Sequence, residues 1–329
     1  MRAQSGVSVA VRRPSGEIVV REQLQHTLGE RHPILKLPLL RGVVVLFETV
    51  AAGFDALDFS SRQAEVQPPT IDSSAPSVPI ATVPTATSSS ESKSSLSTGL
   101  TFFIAIVFGI GLFVALPHLL SVLTGMAFGG FALSSPVFHL VAGSFKLAIF
   151  IAYITLLSLF PDVRRVFMYH GAEHKVIATY EAQEPLDVSH ARAHTTFHAR
   201  CGTSFLLVVV VASIAVFAII LPLVGLGEGW SSHALAVLIK VPLLLPIAAL
   251  AYELNRYAAD HLGNPVVRFL VTPGFWLQRL TTREPTDDML EVSITSLKSA
   301  LKRQAMGDTE SASQISVYKD FSAVLSGMS

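Results

Sequence analysis

What most constrains this chain is what two of its stretches lack. Residues 94–145 contain no Asp, Glu, Lys or Arg, and residues 201–227 again contain none. About 20 helical residues cross roughly 30 Å of hydrocarbon. In lipid, a helix or a closed barrel is the only structure that pairs all of its own backbone polar groups. Composition agrees: half of the 329 residues are hydrophobic, 15% are charged, and mean hydropathy is +0.53. That is too apolar for a soluble protein of this size. We read four spans, near 100–123, 138–160, 204–226 and 232–252. The second carries Lys146 and the fourth Lys240. A lysine at mid-bilayer costs roughly 2.5–3.5 kcal/mol on insertion scales. Each must snorkel to an interface or face a polar cavity.

Lys and Arg set the expected orientation. Nine precede the first span, five lie between the second and third, and eight follow the fourth. The two remaining loops hold none outside the spans. The pattern predicts two helical hairpins in the plasma membrane, with both termini and the central loop in the cytoplasm. Formal net charge is zero, so no global basic field argues for nucleic acid. The lipid bilayer is the expected partner.

The fold class expected is mainly α: a polytopic membrane protein with a small N-terminal β-hairpin and amphipathic cytoplasmic helices. Residues 1–64 hold the hairpin, with Val7, Val9 and Val11 alternating before Pro14-Ser15-Gly16, and then an amphipathic or interfacial helix. The competing reading of that helix is a re-entrant or fifth spanning segment. Residues 65–98 are Ser/Thr/Pro-rich and read as a disordered linker. Residues 99–161 form the first transmembrane hairpin, 162–203 the His-rich loop and 204–253 the second hairpin. Within 254–305, Leu290, Ile294, Leu297 and Leu301 recur at helical spacing, which predicts a packed amphipathic helix. Residues 306–329 read as a flexible tail.

The chemistry concentrates in the central loop. His170, Glu173 and His174 follow the order H-x-x-E-H. Positions i and i+4 share a helix face, so the two imidazoles can serve one ion, with Glu173 beside them. This is the inverted form of the zinc-protease helix, where the glutamate is the general base. His190, His194 and His198 recur at i+4, with Cys201 three further on. If helical, all four project from one side. Five of eleven histidines and the single cysteine thus fall within 32 residues. Such a donor set favours Zn²⁺, with iron or another first-row ion as the alternative. The competing reading is a solvated or pH-sensitive histidine patch. Cys201 is either a ligand or a small buried residue at a helix start. Glu253, at the end of the fourth span, is either a further ligand or an interface partner for Arg256. One cysteine excludes an intrachain disulfide and suits a reducing compartment.

The stretches PDVRRVFMYHGAEHKVIATYE, FHARCGTSF, AYELNR and PGFWLQRLTTREP, with VAVRRPSGEIVV and ERHPILKLPLLRGVVVLFET before them, resemble the YqhQ-like family of bacterial membrane proteins. The resemblance covers most of the chain except the linker and the last twenty-odd residues. It implies a polytopic fold and, as that family is often described, a metal-dependent enzyme of undetermined reaction. His170, Glu173, His174, His198, Cys201 and Glu253 fall on the family's motif positions, whereas His190 and His194 do not. Ala199 stands where the family has proline. The family opens with a glycine-rich segment ahead of a Met-Arg pair. Met1-Arg2 begins this sequence, so an N-terminal stretch is expected to be missing from it.

The expected function is therefore a metal-dependent hydrolase, with Glu173 as general base and His170, His174, His198, Cys201 and Glu253 as candidate ligands. The alternative is a non-catalytic membrane factor, either a metal-handling transporter or an assembly scaffold. A transporter needs polar groups through the bilayer, and the spans offer only Lys146, Lys240, His118 and His139, which disfavours it.

Overall fold

The computed structural model describes residues 1, 6–24, 28, 32–66, 91–128, 130–198, 201–227, 229–306 and 313–327. Strands β1 (Gly6–Arg12) and β2 (Ile18–Leu24) pair antiparallel, with Val9 opposite Arg21. Gly16 takes φ +92° in their turn, a conformation that costs glycine least. Arg13 N donates to Glu17 O at 2.9 Å and closes the hairpin. Helix α1 (Leu40–Ala64) follows. It lies along the fourth span, where Arg41 pairs with Glu253. Phe47, Val50, Phe54 and Leu57 recur along it at three- and four-residue steps and are exposed. Most of the expected linker, 67–90, lies outside the described residues, and helix begins again at Glu91.

The first span combines α2 (Glu91–Ile110), a π-helical turn (Gly111–Ala115) and α3 (Leu116–Ala127). The second is α4 (Pro136–Leu157), which starts cleanly because Ser135 caps it and Pro136 occupies its first position. Next come α5 (Pro161–Glu181) and the six-residue α6 (Val188–Ala193). The third and fourth spans are α7 (Gly202–Leu223) and α8 (Trp230–Asp260). After them stand α9 (Pro265–Thr281) and α10 (Asp287–Met306). Among the described residues four helices are long and apolar enough to cross a membrane: Phe103–Ala127, Pro136–Leu157, Gly202–Leu223 and Trp230–Ala258. These are the four spans read from hydropathy; α1 is not among them.

On the α5 side of the bundle sits a second layer. The periodic face of α10 (Leu290, Ile294, Leu297) buries against Ala172 and Val176 of α5 and Ala191 of α6. Its other side meets β1 and β2. The 306–329 stretch, expected to be a flexible tail, contributes structure over 313–327. Strand β3 (Gln314–Tyr318) pairs antiparallel with β2 to give the order β1-β2-β3, and α11 (Phe321–Gly327) follows. Val324 of α11 is fully buried against Ile18 and Val20.

The Lys/Arg distribution predicts which membrane face carries this second layer. Cys201 is a poor reporter because it is buried, so cysteines are introduced at exposed positions in a Cys201→Ser background. A membrane-impermeant maleimide on intact cells should label Gly227→Cys, between α7 and α8, and leave Ala182→Cys, after α5, unlabelled until permeabilisation. The reverse pattern would invert the topology.

Candidate metal centre

Helix α5 begins with Pro161 at its first position and Asp162 in its first turn, both favourable there. Three turns on, His170 and His174 stand on one face, their ring centroids 4.4 Å apart. His174 is buried and His170 half-buried. The side chain of Cys201 meets them from the start of α7, where the residue is the N-cap. Its Sγ lies 3.2 Å from His170 Nε2 and also accepts from Thr203 N at 3.4 Å. Nε2 or Nδ1 of each histidine and the cysteine sulfur fall within 4.8 Å of one another.

The tautomers follow from the outer partners. His170 Nδ1 is 2.9 Å from the Thr281 carbonyl, and His174 Nδ1 is 2.6 Å from the Thr196 carbonyl. A carbonyl only accepts, so both Nδ1 atoms carry hydrogen and donate. In the neutral rings both Nε2 lone pairs are then free for a ligand, the arrangement that metal-ligating histidines adopt.

Three contacts fix the backbone near these carbonyls. Gln278 of α9 is fully buried; its Oε1 accepts from His198 N at 2.9 Å and its Nε2 donates to His198 O at 2.8 Å. Lys175 is buried on α5 and donates to the carbonyls of Arg192 and His194 at 3.0 and 2.7 Å, with Glu284 at 2.7 Å neutralising it. Gly171 lets the chain beyond α9 touch α5, because a Cβ there would sit 2.1 Å from the Arg283 carbonyl oxygen. The Arg283 N–H donates to Phe167 O at 2.9 Å in the same contact.

Electrostatics favour a thiolate. Burial works against ionising Cys201, but hydrogen bonds from His170 and His174, which donate through Nε2 only when the ring is charged, and from Thr203 outweigh it and hold the thiol at about 5. The start of α7 adds its positive dipole end. For His170, burial disfavours the charged ring, yet the Cys201 and Thr281 hydrogen bonds and the Glu173 charge shift its pKa upward overall.

The other candidates go elsewhere. The expected helical histidine row does not form, because α6 ends at Ala193. His190 bonds Asp187 at 2.8 Å, His194 bonds Glu184 at 2.8 Å and His198 Nε2 is 3.1 Å from Glu181. His198 nevertheless stays beside the centre, its ring centroid 5.8 Å from that of His174. Glu253 takes part in the α1–α8 contact, accepting from Arg41 Nε at 2.7 Å, and is not brought to the cluster. Glu173 is half-buried on α5, close enough for its charge to act on His170. Ala199 lies outside the described residues. Thr281 and Gln278 were not singled out from the sequence, although both sit in the PGFWLQRLTTREP stretch.

The chain is thus a mainly α polytopic protein whose paired histidines and one cysteine meet beside the end of a spanning helix. It belongs to the family described as "Protein of unknown function (DUF1385)", whose model matches residues 37–303. It is similar to "Uncharacterized protein YqhQ" of Bacillus subtilis (strain 168), 30% identical over 313 residues, covering 91% of this chain and 88% of that protein. No solved structure matches it.

The charge state of Cys201 can be measured directly. In protein purified in the presence of chelator, the rate of alkylation by iodoacetamide should be nearly flat from pH 9 down to pH 6. It should then fall with a midpoint near 5, because the thiolate is the nucleophile. A midpoint near the ordinary thiol value of about 8.5 would show that the two imidazoles do not hold a thiolate.

Proposed function

We propose that this protein is a metal-dependent hydrolase at the cytoplasmic face of the plasma membrane, with His170, His174 and Cys201 holding a divalent ion, Zn²⁺ by preference. The observation that carries the reading is the pair of Nδ1–H donations to the Thr281 and Thr196 carbonyls. They aim two imidazole lone pairs at the space the Cys201 sulfur faces. Zn–N bonds of about 2.0–2.1 Å and a Zn–S bond of about 2.3 Å in tetrahedral geometry put N and S roughly 3.6 Å apart. The His170–Cys201 separation of 3.2 Å is within a few tenths of that. Three protein ligands are the number that catalytic zinc sites use, leaving one position for water or substrate.

A zinc ion held there supplies Lewis acidity. The residues supply the rest. The Thr281 and Thr196 carbonyls fix the imidazole tautomers, and burial of His174 and Cys201 keeps bulk water from those ligands. Glu173, on the same helix and in electrostatic reach of His170, takes the proton from the attacking water. The cytoplasmic placement rests on the 22 Lys and Arg residues that flank the spans on one predicted side and the absence of any on the other.

Glu173 separates an enzyme from a scaffold. In a deletion strain, Glu173→Gln should retain bound metal while activity falls by the 10²–10⁴-fold typical of a lost acid–base group. His170→Ala and His174→Ala should lose metal and activity together. Full complementation by Glu173→Gln at normal protein level would sink the hydrolase reading.

A further inference from the structure

The spans carry a second polar cluster that the metal centre does not use. By sequence, Lys146, Lys240, His118 and His139 were scattered groups in apolar helices. The structure gathers them from α3, α4 and α8 around one small cavity, with Phe217 of α7 as its floor. All four are more than nine-tenths buried. Lys240 Nζ donates to His118 Nδ1 at 2.9 Å. With that nitrogen accepting, His118 carries its hydrogen on Nε2 and donates to His233 Nδ1 at 3.1 Å. Lys146 Nζ donates to Ser213 Oγ at 2.9 Å. His139 Nε2 donates to the Leu133 carbonyl at 3.0 Å, while its Nδ1 is buried with no hydrogen-bond partner among the described residues.

The cluster is basic with no acid to answer it. Glu253 is the single carboxylate within the four spans, and it pairs with Arg41. Among the described residues, the hydrogen bonds of the two amines run to Ser213 and His118 alone. Each ammonium has three donors and uses one. Both also lie over the Phe217 ring, at 4.7 and 5.5 Å from its centroid. A π face attracts a cation but does not replace the hydration an ammonium gives up on burial. A buried charge is paired or gives up its proton, and no described residue supplies an acidic partner here.

We propose that the bundle holds a site for one small monovalent inorganic anion, chloride in class, between Lys146 and Lys240 and lined by His118 and His139. The cavity is small, about 10 Å³, which favours a monatomic guest over a bulkier oxyanion. His233 is half-buried three residues into α8, next to exposed Trp230. Further along α4 from Lys146, Phe150 and Ile154 pack with Leu277, Phe113 and Tyr153 in an apolar cluster. Ser213 lies twelve residues along α7 from Cys201, roughly 18 Å of helix, so the two sites are separate.

The test uses the full chain in lipid nanodiscs at fixed pH and ionic strength, with chloride exchanged for gluconate. Chloride should raise the melting temperature by several degrees and saturate, as mass action requires of a ligand of the folded state, and bromide should substitute for it. Lys146→Met and Lys240→Met should each abolish that dependence while bound metal is unchanged. A melting temperature indifferent to chloride in the wild type, or a dependence that survives both substitutions, would overturn the proposal. Should neither variant accumulate, chloride-35 line broadening by the wild type, reversed by excess bromide, reads the same site. No broadening would count against it.

Discussion

Gln278 is fully buried on α9 and makes hydrogen bonds to the N–H and the C=O of His198 and to Ser204 Oγ at 3.1 Å. Glycine at 274 lets the two helices close up, since a Cβ there would come within 2.8 Å of Ser204 Oγ. This one contact seats α9 against the start of α7. It therefore sets where Cys201 begins the third span, where residues 194–198 run, and where the Thr281 carbonyl meets His170. A buried amide with unmet hydrogen bonds costs about 1–3 kcal/mol, so the satisfied clamp has one geometry and the His170, His174 and Cys201 side chains inherit it.

The bilayer explains how the polar groups are divided. Within lipid, each backbone N–H and C=O must be met inside its own helix, so regular helices cross and the irregular backbone needed to orient imidazoles sits beyond their ends. Residues 194–198 are part of that backbone. Their free carbonyls are taken up by Lys175 and His174, and Lys175 is tied down in turn by Glu284. The amines and imidazoles that do lie inside the bundle are enclosed between α3, α4, α7 and α8.

Much of this was legible in the sequence because it depends on period and charge. The four spans, the turn at Gly16 and the α10 face each repeat at the spacing their structure requires. His170 and His174 were legible because i and i+4 share a face. The partners of their Nδ1 atoms were not: a backbone carbonyl leaves no residue signature, so Thr281 and Thr196 could be any amino acid as far as the bond is concerned. The histidine row misled because Asp187 caps α6 and the helix ends after six residues. The acids Glu184 and Glu181 then pair with His194 and His198. Glu253 depended on tertiary packing of α1, which no local pattern encodes. Strand β3 is five residues long and acquires its strand identity from β2 beside it.

The central claim is that two imidazoles and one thiolate form a metal centre. Elemental analysis of the purified full-length chain tests it most directly. The account predicts about one zinc, or another first-row divalent ion, per chain, reduced to background in His174→Ala and in Cys201→Ser. Folded, functional protein with no stoichiometric metal would contradict it.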